Sequence, residues 1–132
     1  MKKILFVLIA LIGFTVAKAQ FATQLPLTAG DTTTNTGTAS KIIKATGAYS
    51  GVAIQVKVAK ISGTAGGTVK IQGSLDGSNY EDIGSSYTVT DVSSQTKTFY
   101  ISAPLPPYIK VLETGTGTMS AVFTVYYVFR KY

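Results

Sequence analysis

Between residues 51 and 80 the chain alternates oily and polar positions with a period of two. Val52, Ile54, Val56 and Val58 fall on one side of an extended backbone, with Gln55 and Lys57 on the other. Beyond residues 62–67 the pattern returns, as Val69, Ile71 and Leu75 against Lys70, Gln72 and Ser74. Side chains of a strand point alternately to its two faces, so each segment predicts a strand with one apolar face. The Gly-rich stretch 62–67 predicts a hairpin loop between the two strands. Asp76-Gly77-Ser78-Asn79 predicts a tight turn into a strand at 80–83, because Gly and Asn accept the positive φ that such turns need.

The same reading continues in both directions. Residues 21–37, rich in Thr, predict an extended arm or edge strand, and 41–45 a short strand. Further strands are predicted at 87–90, 96–102, 108–113 and 118–129. Pro104, Pro106 and Pro107 stop the strand before them, since proline cannot donate to a ladder. Seven or eight closely spaced strands without helical periodicity predict an all-β, two-layer antiparallel sandwich. With no Cys pair and no Trp to mark an immunoglobulin domain, the expected form is jelly-roll-like. The last strand is oily on both faces. Met119, Ala121, Phe123, Val125, Tyr127 and Phe129 share one, while Val122, Tyr126 and Val128 lie on the other. A second apolar face implies either a cover or a subunit contact, so these three residues are the expected homo-oligomer interface.

Ahead of the strands, Lys2-Lys3, an apolar run over 4–16 and Ala17-Lys18-Ala19-Gln20 match the three regions of a secretory signal peptide. The run is shorter than the roughly 18 to 20 residues that cross a bilayer comfortably, so cleavage after Ala19 is expected, with no membrane association afterwards. The expected organisation is a signal peptide at 1–19, a Thr-rich arm or edge strand at 20–38 and a sandwich domain at 39–132. Cleavage changes the charge picture. The formal +6 includes Lys2, Lys3 and Lys18, and without them nine basic residues face six acidic ones, a net of +3. The remaining lysines are scattered over polar-facing positions, which argues against a nucleic-acid partner. Arg130-Lys131 is the only adjacent basic pair left.

Candidate chemistry is sparse. Without His or Cys the chain lacks the usual general base, thiol nucleophile and soft metal ligands. Of the carboxylates, Glu81 and Asp82 are neighbours that point to opposite faces, and Asp76 and Asp91 fall in predicted turns, so no acid pair for glycoside hydrolysis is expected. Asp76, Asn79 and Asp82 have oxygen ligands at three-residue spacing, but turn geometry alone calls for Asp-Gly and Asn at those positions. No catalytic residue, metal or cofactor is therefore assigned. Eight tyrosines are the more suggestive feature. Aromatic faces stack on sugar rings and the phenol offers a hydrogen bond, which makes Tyr100 and Tyr108 the candidate ligand platform.

The run Ala53-Ile-Gln-Val-Lys-Val-Ala-Lys-Ile-Ser-Gly-Thr-Ala-Gly-Gly-Thr-Val-Lys-Ile-Gln-Gly-Ser-Leu-Asp-Gly-Ser-Asn-Tyr80, with Gln95-Thr-Lys97 and Gly115-Thr-Gly-Thr-Met-Ser120, resembles small all-β virion structural proteins, of decoration or fibre-like type, from phages that infect Bacteroidetes. The Ala-x-Ala-Gln motif resembles cleavage sites of exported Bacteroidetes proteins. Gly-Ser-x-Asp-Gly-x-Asn-aromatic is also similar to a motif of discoidin-like and other carbohydrate-binding sandwiches, with Tyr80 where Trp is common. A leader peptide departs from what a cytoplasmically assembled virion protein carries, and points to an exported relative. Two functions follow as expectations. One is a non-enzymatic structural protein that self-associates into a virion surface or extracellular filament through sheet faces and strand edges. The other is a small secreted module that binds a glycan through surface tyrosines.

Overall fold

Each alternating segment has one face to hide, and the fold hides them against one another. The computed structural model describes residues 23–24 and 31–131; the expected signal peptide, its cleavage site and Tyr132 lie outside the described residues. Among the described residues ten strands follow in order: β1 (Thr23–Gln24), β2 (Thr32–Thr34), β3 (Thr38–Lys44), β4 (Tyr49–Ser62), β5 (Gly67–Ser74), β6 (Glu81–Asp82), β7 (Tyr87–Val89), β8 (Ser94–Ser102), β9 (Tyr108–Gly115) and β10 (Ser120–Lys131). In the first sheet β1 and β2 both pair with β10, followed by β4 and β8. The second runs β3, β9, β5, with β6 and β7 both on β5. All pairings are antiparallel, and the result is a jelly-roll-like sandwich.

The core is made of the alternating residues from both inner faces. Val52, Ile54, Val56 and Val58 of β4, with Phe123 and Val125 of β10, meet Val69 and Ile71 of β5 and Ile109 and Val111 of β9. Two expectations are corrected. Residues 62–67 do not close a hairpin: β4 and β5 lie in different sheets. The six long strands in fact alternate strictly between the sheets along the chain. Periodicity tells which side chains must be covered, but not whether the next strand covers them from across the core or pairs alongside. Leu75 does not join Val69 and Ile71 but is 82% exposed. The β5 ladder ends at Ser74, and its hydroxyl serves the following turn instead.

The described pieces of the Thr-rich segment belong to the sandwich as edge pieces, with Thr23 opposite Tyr127 and Thr32 opposite Val122 of the same chain. β2 also touches β3 and β9 of the other sheet, and so closes that side of the core. The polar groups it carries inward are matched. Asp31 pairs with Lys41 at 2.6 Å, and the Thr33 hydroxyl donates to Glu113 Oε2 at 2.6 Å.

Candidate ligand-binding face

The outer face of the first sheet is built from cross-strand rows. Val128, Ala53 and Tyr100 form one row across β10, β4 and β8, and Arg130, Gly51 and Ser102 form the next. Directly opposed residues of an antiparallel pair point to the same side, so all six face outward. The middle strand carries the two small residues and the flanking strands the large ones. That size pattern sinks a depression of about 320 Å³ over β4, lined by these six and by Val52 and Ile101. Gly51 is required there, since a Cβ would come within 2.9 Å of the Ile101 carbonyl oxygen. The next row, Tyr126, Gln55 and Thr98, bounds the depression along the strands, and Gln55 Nε2 reaches Thr98 Oγ1 at 3.5 Å.

Tyr100 forms one wall and is 82% exposed. Arg130 forms part of the other, held from below: its Nε donates to Ser50 Oγ at 3.0 Å, and that hydroxyl donates to the Lys131 carbonyl at 3.0 Å. No described residue accepts from the terminal amino groups of Arg130.

The residues singled out by sequence are only partly brought together. Val128 and Tyr100 flank the same depression, Tyr126 lies in the adjacent row, and Val122 is at the far end of β10, opposite Ala59. All three interface candidates are half-buried on a central strand. Tyr108 is elsewhere, on the outer face of the second sheet, where Gly77 lies over its ring. A Cβ at Gly77, whose φ is +76°, would meet that ring at 3.2 Å. Tyr100 and Tyr108 therefore do not form one platform. Four other described tyrosines have structural partners. Tyr49 stacks on Phe129, Tyr127 packs edge-on to Phe129, Lys110 lies 4.0 Å from the Tyr80 ring centre, and the Tyr87 hydroxyl donates to Gln95. Arg130, Gly51 and Ala53 were not legible as site residues. The available signal was two small residues at outward positions of a long strand.

Asp31, Asp76, Asp82 and Asp91 are dispersed and each is occupied. Backbone N–H groups of Asn79 and Ser78, with the Asn79 amide and Ser74 hydroxyl, donate to Asp76 and hold its carboxyl well below the usual range. Lys70, then Gln72, lowers Asp82, while Lys60 and the Ala65 N–H lower Asp91. Asp76 and Asp82 thus serve separate partners rather than one shared centre. Glu113 is the exception: burial pushes its carboxyl up, only partly offset by Thr33. A second concavity of about 490 Å³ lies between the Asp76 turn and Pro104-Leu105-Pro106, with Leu75 and Ile83 on its walls and no aromatic residue.

No family model matches the chain, and no curated protein matches it. Among solved structures it is similar to a carbohydrate-binding module specific for non-crystalline cellulose, CBM28, at 9% identity and a TM-score of 0.48, covering 86% of this chain and 75% of that one. A likeness this distant assigns neither ligand nor activity.

Proposed function

We propose that this protein is an exported, non-catalytic binding module that takes a glycan chain along the outer face of its first sheet. The observation that carries this reading is Tyr100, the one tyrosine among the described residues with its ring open to solvent, standing beside a trough floored by Gly51 and Ala53. An exposed aromatic wall offers the apolar face of a sugar ring a stacking surface, and Ser102 and Gln55 offer hydrogen bonds to its hydroxyls. Adjacent strands lie about 4.8 Å apart, so β8 and β10 flank β4 with their backbones roughly 10 Å apart, and their side chains form the two sides of the trough. Outward polar residues continue along β4 past the depression, Gln55 and then Lys57, a length that suits a polymer rather than a free monosaccharide.

Assembly by strand pairing is the less favoured reading, for a reason visible at the edges. β3 and β8 each carry an inward-side lysine, Lys41 and Lys97, and such residues discourage a second sheet from adding to an edge. The test is affinity electrophoresis of the purified protein through gels holding a panel of polysaccharides. At least one should retard it saturably, and Tyr100→Ala should weaken that binding about tenfold without moving the unfolding temperature. A panel that leaves the wild-type mobility untouched rules the module out.

A further inference from the structure

Charge is divided unevenly between the two sheets. β1, β2, β4, β8 and β10 contain no Asp or Glu, yet carry Lys57, Lys60, Lys97, Arg130 and Lys131. The acids lie on the second sheet, in β2's approach or in turns, and Asp31, Asp82 and Asp91 are each paired with a lysine. On the outer face of the first sheet the charged residues of β4, β8 and β10 are Lys57 and Arg130, both exposed and both positive. They stand in rows separated by six residues of β4, about 20 Å at the rise of a strand. Arg130 meets the trough at one end, Tyr100 stands beside it and Lys57 follows beyond Gln55.

Neutral sugars present hydroxyls that donate as well as accept, and a site for them gains from carboxylate acceptors. This face has none. It presents a guanidinium whose Nε is anchored on Ser50, so the outer fork is oriented before any ligand arrives. Such a fork matches a carboxylate with two parallel hydrogen bonds. We infer that the glycan taken by this face is anionic, a polyuronate, with a carboxylate on Arg130, the adjoining sugar ring on Tyr100 and a later carboxylate near Lys57. The inference rests on the binding-module reading and narrows its ligand class.

Affinity electrophoresis in gels containing alginate, hydroxyethylcellulose or dextran sulfate separates the outcomes, with oligothymidylate as a competing polyanion. Alginate should retard the protein at least about tenfold more strongly than hydroxyethylcellulose, with the effect weakening as salt rises past roughly 0.1 M. Arg130→Gln and Tyr100→Ala should each weaken alginate binding about tenfold, Lys57→Gln less, and Leu75→Ser in the other concavity not at all. Equal retardation by hydroxyethylcellulose, with Arg130→Gln silent, overturns this inference and leaves the module reading standing. Retardation by dextran sulfate or competition by oligothymidylate as strong as alginate's, and indifferent to Tyr100→Ala, overturns it too, as mere attraction between opposite charges. Retardation by no polysaccharide overturns both.

Discussion

Glu113 shows how a single residue escapes a sequence reading. It follows Val111 by two positions in β9 and so must point into the core, yet as a charged residue near a strand end it reads as solvent-facing. The fold buries it beside Thr33, and its Oε1 has no hydrogen-bond partner among the described residues. Burial disfavours the charged form, so the folded chain holds this proton more tightly than the unfolded one. The stabilisation is therefore full below the ordinary carboxyl pKa and is lost as pH rises through the raised folded value. Glu113→Gln keeps an acceptor for the Thr33 hydroxyl and removes the ionisation. Its unfolding temperature should match the wild type near about pH 4 and exceed it increasingly toward neutrality. A gap that stays constant across that range would contradict the account. Asp76, held low by its turn, has the opposite sign, contributing above the ordinary carboxyl pKa and losing that contribution in acid.

At the scale of elements, β10 and β8 hold contrasting positions. β10 is hydrogen-bonded on both edges and sends Phe123 into the centre of the core at 0% exposure. Truncating it removes a large packed ring that the rigid sheets cannot collapse around, so Phe123→Ala should lower stability by about 3–5 kcal/mol in urea unfolding. β8 pairs with β4 alone, and its far edge is open among the described residues. Lys97 lies on the inward side of that edge, with its ammonium 6.0 Å from the Tyr87 ring centre. Lys97→Val leaves an apolar, unguarded edge, and sedimentation should then detect concentration-dependent association that the wild type lacks. A variant as monodisperse as its parent would show that the edge is protected by something else. The strands themselves were legible from period-two alternation, and the Asp76-Gly77 turn from its residues. The crossing at 62–67 was not, because face-to-face and side-by-side partners satisfy the same pattern.

For the whole molecule, the question raised by the last strand is whether its second face needs another subunit. Val122, Tyr126 and Val128 are already half-covered within one chain, and Val128 is continuous with the trough at Tyr100. Sedimentation of the wild type should give the mass of a single chain, unchanged by replacing Tyr126 and Val128 with Lys. A larger particle that this double substitution dissolves would restore the assembly reading. The sequence by itself determined that strands would form, that Val52, Ile54, Val56, Val58, Val69 and Ile71 would share hidden faces, and that Phe99 and Tyr100 would part to opposite faces, because alternation along an extended backbone is a local geometric fact. Only the tertiary structure decided which strands became neighbours, and that choice made the site. It set Gly51 and Ala53 between Tyr100 and the Val128–Arg130 wall, and carried Tyr108 to the other sheet under Gly77. Pairing between residues far apart along the chain depends on the summed burial of both sheets, and no single segment encodes it.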